Sequence, residues 1–227
     1  MKSILFLGTL LFSLIAVLPL YADEDTIKEP ESEVEFKKVL KGSKDDINLR
    51  ITGLGCREKF YANVYGIAHF MHDKGAQEKL ASLKGVKIED QKTEDQVKTC
   101  KTIVEAEIEK TLILAFVRDV EGHKIQEAFK ESLLQTYNDK TGLSKNAETF
   151  IGYFAGGVKD KDRIVLKYVP EGEQGKLMVF VAGTKKDLLE DKKLAQAVWA
   201  IWFCKEPTVG TSLRDSLLSQ LDNLWKN

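Results

Sequence analysis

A chain of 227 residues with 43% hydrophobic and 30% charged residues can bury a full core and matches ordinary soluble composition. Its formal net charge of −1, with lysines and acids spread evenly, argues against a nucleic-acid partner, which needs a concentrated basic face. It leaves small acidic ligands open, since one well-placed cation is enough to hold them.

The first 22 residues form a separate unit. Lys2 supplies the positive start, "ILFLGTLLFSLIAVLPL" is an uncharged apolar run, and "LYA" ends at Ala22. The pattern predicts a secretory signal peptide cleaved after Ala22. The run is shorter than the ~20 residues a spanning helix needs, so no membrane span is expected after cleavage. The mature chain is then exported, and periplasmic in a diderm bacterium. Residues 23–33 are acidic and poor in large apolar side chains, which predicts a mobile tether. Residues 34–227 form the folded domain.

Within that domain, "VEFKKVL" (34–40) and "INLRITG" (47–53) alternate and predict a first hairpin. "GCREKFYANVYGIAHF" (55–70) also alternates. Its even positions hold Cys56, Phe60, Ala62, Val64, Ala68 and Phe70, and its odd positions hold Arg57, Lys59, Tyr61, Asn63, Tyr65 and His69. Read as one strand, it buries the even face and presents the odd one to water or to a ligand. That reading separates Arg57 from Tyr65 by ~26 Å. They can then serve one site only if the backbone bends.

Further on, "KGAQEKLASLKG" (74–85) predicts a short helix between glycines, and 94–110 predicts another. "TLILAFVRDV" (111–120) is a buried strand. "HKIQEAFKESLLQTYND" (123–139) sets Ile125, Ala128, Phe129, Ser132, Leu133 and Thr136 on one helical side, and Ser144 caps a helix over 144–154. A strand pair follows at 162–169 and 176–183. "KKLAQAVWAIWFC" (192–204) is apolar on nearly every side, which predicts a buried or cavity-lining helix. Residues 211–226 carry Leu213, Leu217, Leu221 and Leu224 as the stripe of a closing helix. The sum is α+β, an antiparallel open-faced sheet covered on one face by a helical layer.

Several chemistries find no carrier. There is no G-x-S-x-G elbow, P-loop or dinucleotide fingerprint. His69 and His72 lack a third partner, so no metal or cofactor is expected. Two of Cys56, Cys100 and Cys204 could pair in an oxidising compartment, and the sequence does not choose which. Cys56 beside Arg57 reads either as an activated thiol or, more simply, as a small buried apolar residue. What remains is the odd face at 57–65. Arg57 offers a fixed fork of donors, Tyr61 and Tyr65 offer hydroxyls, and Asn63 an amide. Facing water, that surface needs no ligand; against an apolar helix layer it suits an amphipathic organic acid.

The same residues carry a family resemblance. "GLGCREKFYANVYGIAHFM", "LILAFVRDVEGHKIQEAFKESL", "DRIVLKYVPEGEQGKLMVFVAG" and "AVWAIWFCKEPTVGTSLRDSLL" together resemble the chalcone isomerase-like family, in particular its bacterial exported branch, over residues 34–222. The resemblance implies a ligand cleft between sheet and helices, with Arg57 at the family arginine that meets the ligand's oxygen. Tyr65 falls where the plant isomerases have threonine and fatty-acid-binding relatives have tyrosine. Ile125 falls at the isomerases' catalytic tyrosine, Ser132 at their asparagine and Ile201 at a threonine. The resemblance therefore implies a small hydrophobic or amphipathic ligand met by Arg57 and Tyr65, with Ile125, Ser132 and Ile201 around it and no catalytic residue; the polar strand face adds Tyr61 and Asn63 as candidates, and the apolar helix adds Trp202. The alternatives are an intramolecular lyase of the chalcone–flavanone type and a ligand-free scaffold.

Overall fold

Strand β4 (Asn48–Lys59) and strand β5 (Ala62–His72) pair along almost their whole length, and this long hairpin is the centre of the molecule. The computed structural model describes residues 25–137 and 142–226, so the expected signal peptide at 1–22 lies outside the described residues. Around the hairpin, β3 (Val39–Lys41), β6 (Lys110–Phe116), β7 (Arg163–Val169), β8 (Lys176–Val181) and β9 (Thr184–Lys185) complete one antiparallel sheet in the order β3-β4-β5-β6-β7-β8-β9. Its edges are strands of three and two residues, too short to template another chain.

Residues 55–70, expected as one strand, are instead two halves of the hairpin. The chain turns at Phe60 and Tyr61, whose φ values of 53° and 62° are the positive pair a two-residue type I′ loop requires. Glycine or asparagine usually marks such a turn. Here two aromatics occupy it, 87% and 100% exposed, and the alternation runs through them undisturbed.

Neither face of the central strands is wet. Tyr65, Ile67 and Met71 of β5 and Leu112, Leu114 and Phe116 of β6 pack under the helices, while Ala68, Phe70, Ile113 and Ala115 form a second cluster on the other face. That second face is covered by β1 (Thr26–Lys28) paired with β2 (Glu35–Lys37), with Phe36 fully buried. Residues 25–33 are therefore not a loose tether. Glu29 is 3% exposed, and its Oε2 accepts from both the N–H and the hydroxyl of Ser32 at 2.6 Å.

The helical layer comprises α1 (Asp73–Lys79), α2 (Thr93–Glu105), α3 (Gly122–Thr136), α4 (Lys145–Gly152), α5 (Lys192–Phe203) and α6 (Thr211–Ser216). Ser144 caps α4 as expected, accepting from the Ala147 N–H. The helix expected at 94–110 ends at Glu105, because Lys110 turns back into the core. Its ammonium donates to the carbonyls of Ile103, Val104 and Ala106, at 2.8, 2.7 and 3.2 Å. Burial pushes this lysine down to about 7. The carbonyls and the rings of Tyr168 and Trp199, 5.4 and 5.6 Å away, favour the charge and oppose that effect.

The closing helix expected over 211–226 breaks after Ser216, and a 3₁₀ turn follows at Leu221–Trp225. The cause is tertiary. A register shift between Ile51 and Gly53 leaves Thr52 as a bulge aimed at this segment. Its hydroxyl donates to the Leu217 carbonyl and its carbonyl accepts from the Gln220 N–H, so both groups leave the helix ladder. The four leucines of the stripe are buried all the same.

Thr52 also begins a closed polar network. The Trp199 indole N–H donates to His69 Nε2 at 3.1 Å, so His69 carries its proton on Nδ1 and donates it to Thr52 Oγ1 at 2.7 Å. Burial, with Lys110 nearby, holds the imidazole well below its usual 6.5. Below that pH the unfolded chain binds a proton here and the folded chain does not, so stability falls as acid is added. From about pH 6.5 to 5 the unfolding free energy should drop by up to ~1.4 kcal/mol per pH unit from this residue. Urea titrations should show that slope in the wild type and lose it in His69→Gln.

Candidate functional site

The hairpin brings together what a single strand would have kept apart. Arg57 and Tyr65 are direct partners across β4 and β5, and a second register shift lies just beyond them, between Arg57 and Glu58. The guanidinium is partly buried. Nη1 donates to the Val209 carbonyl at 3.0 Å and Nη2 to the Thr208 carbonyl at 3.4 Å. Among the described residues no carboxylate pairs with it, so a cation sits at the sheet–helix boundary held only by neutral oxygens. The 207–210 turn it holds links α5 to α6, and Gly210 has the φ of 96° that releases the chain into α6.

Thr208 ties this turn to α3. Its hydroxyl lies 2.8 Å from that of Ser132, which shares a helical face with Ile125 and Phe129. On the sheet side, the Tyr65 ring packs 5.4 Å from Phe116. From α5, Trp202 meets Phe129 edge-on with centroids 6.4 Å apart, and Ile201 is buried in the same cluster. Although Tyr65 retains some solvent contact, its dense surroundings push the phenol up to about 12, against the pull of the Trp202 N–H and of Arg57. It is therefore a neutral hydroxyl at any ordinary pH.

Trp202 itself is 1% exposed, and among the described residues its indole N–H has no acceptor in hydrogen-bond geometry. It lies near enough to the Tyr65 hydroxyl to favour the phenolate, yet outside hydrogen-bond geometry. An unpaired buried donor costs about 1–3 kcal/mol, so its retention calls for a reason.

The other expected residues divide. Ser132 is tied to Arg57 through Thr208 and Trp202 lies by Tyr65, while Ile125 and Ile201 are buried in the main core against which Tyr65 packs. Tyr61 stands apart at the hairpin tip, fully exposed, and Asn63 donates instead to the Glu31 carbonyl at 2.8 Å. All three cysteines are free thiols. Cys56 is not activated by its arginine neighbour. Partial burial and the charges of Glu29, Glu31 and Glu58 push it up to about 12. Thr208 and Val209 went unforeseen, because they act through backbone carbonyls that side-chain identity does not advertise.

A family model described as chalcone isomerase-like matches residues 32–219. The chain belongs to the chalcone isomerase-like family. Among solved structures it is similar to the crystal structure of a fatty-acid binding protein of Arabidopsis thaliana, with 19% sequence identity and a TM-score of 0.67. The match covers 88% of this chain and 98% of that one. At that identity the likeness is one of fold. No curated protein sequence matches the chain. As a chalcone isomerase-like protein it has the expected mix of antiparallel sheet and helices, and its Arg57–Tyr65 pair lies under the helical layer, at the end of the hairpin beside the 207–210 turn.

Proposed function

We propose that this chalcone isomerase-like chain is an exported, non-catalytic binding protein for a fatty acid or a similar small amphipathic carboxylate. The observation that carries the reading is the partly buried Arg57, which among the described residues has no carboxylate partner, set beside Tyr65 at the edge of the apolar cluster. Nη1 and Nη2 of Arg57 each give one N–H to the 207–210 turn, and the remaining N–H groups are available to an acid head. The apolar side chains of Ile125, Ile201 and Trp202 suit an alkyl tail, and a similar fold serves a fatty-acid binding protein. Catalysis is disfavoured because the positions that the family resemblance assigns to the isomerases' tyrosine and threonine hold Ile125 and Ile201, neither of which can move a proton. Export rests on the apolar leader ending at Ala22.

Native mass spectrometry of the protein, purified without detergent from an exporting host, tests the reading. One co-purified or added dodecanoate per chain is the expected result. A mass that stays free of ligand at saturating dodecanoate would sink it. Turnover of a chalcone-like ketone would instead establish the intramolecular lyase.

A further inference from the structure

We propose that the indole N–H of Trp202 is a third donor to the ligand's head, so that the site recognises an ionised carboxylate through both of its oxygens. The inference rests on the carboxylate-binding reading and adds to it the residue that makes the site selective for an anion.

The argument starts from a group without a function in the free protein. Tryptophan N–H is donor only, and buried ones nearly always find an acceptor. The contrast within α5 makes the point, since Trp199, one turn earlier, gives its N–H to His69. Trp202, equally buried, lies near the Tyr65 hydroxyl but, among the described residues, finds no acceptor in hydrogen-bond geometry. Packing alone does not account for the difference, because a phenylalanine would fill the apolar surroundings without an orphaned donor. The Trp202 indole lies beside the Tyr65 side chain, and Tyr65 is the partner of Arg57 across the hairpin.

Arg57 supplies a cation, Tyr65 a hydroxyl, and Trp202 a donor with no capacity to accept. Among the described residues none of them pairs with a carboxylate. Such a set is complete when an acceptor-only anion arrives. One carboxylate oxygen takes Arg57 and Tyr65, and the other takes Trp202. A neutral alcohol of the same chain length satisfies fewer of these donors.

The indole N–H resonance reads this directly. In the ¹⁵N-labelled protein the resonances of Trp199, Trp202 and Trp225 are assigned with Trp202→Phe, or by elimination with Trp199→Phe and Trp225→Phe should the first variant not fold. Sodium dodecanoate is expected to move the Trp202 N–H proton strongly downfield, and dodecanol at equal occupancy to leave it near its starting position. Trp202→Phe should weaken dodecanoate roughly tenfold or more and dodecanol much less. If wild-type protein binds dodecanoate by mass while the Trp202 resonance stays fixed, this inference fails and the binding reading stands. If wild-type protein binds no dodecanoate, both fail.

Discussion

Arg57→Ala is expected to remove carboxylate binding almost completely while leaving a folded protein. Truncating one partner of a buried charge pair costs ~2–5 kcal/mol, or roughly 30- to several thousand-fold in affinity. The residue has two tasks, however. It also holds the Thr208 and Val209 carbonyls, and through Thr208 the Ser132 hydroxyl on α3. Two further variants separate them. Arg57→Lys keeps the charge but loses the planar fork, so it cannot serve two carbonyls and an acid head together, and should bind more weakly than wild type but better than alanine. Ser132→Ala cuts the link to Thr208 without touching the charge, and should change affinity only modestly. Calorimetric titration with dodecanoate, with thermal unfolding beside it, checks all three. Unchanged affinity in Arg57→Ala would reduce the arginine to a clip for the 207–210 turn.

Trp199→Ala should cost the most stability, about 3–5 kcal/mol. The side chain is fully buried between the sheet and the helical layer, where it packs edge-on to Tyr168, donates to His69 and presents its ring to the Lys110 ammonium. Alanine leaves a cavity, an imidazole nitrogen without its donor and a buried ammonium with one ring fewer. Trp199→Phe dissects these effects, since it keeps much of the volume and removes the N–H. With Nε2 free to take a proton, the His69 pKa should rise towards its usual value, and the acid-dependent loss of stability should shrink. Urea unfolding at neutral and mildly acidic pH reports both. A loss below ~1 kcal/mol in the alanine variant would mean that the helices collapse onto the vacated space.

The order and type of most elements were determined by local rules that hold wherever a segment is placed. A continuous apolar run found β6, a strand–turn–strand pattern found β7 and β8, the 3.6-residue stripe found α3, the segment 192–204, apolar on nearly every side, announced a buried helix, and Ser144 capped α4 as serine does before a helix. The candidate site was less legible, because an alternating strand with one polar face is what any half-solvated hairpin shows. Arg57 and Tyr65 stood out from Tyr61 and Asn63 only through the family resemblance.

What only the tertiary structure decided were relations between segments. Phe60 and Tyr61 make a turn in the αL region without glycine, which no propensity announces, and the hairpin then converts two positions ~26 Å apart on a straight strand into direct neighbours. Residues 25–33 are polar, but they are ordered by pairing and by the Glu29–Ser32 contact. The stripe of 211–226 marked the right buried face. It could not show that Thr52, from a bulge 165 residues away, takes the Leu217 carbonyl out of the helix. The unpaired Trp202 N–H is likewise a property of the packed site alone, because a donor becomes an orphan only when the fold has removed the water that would have satisfied it.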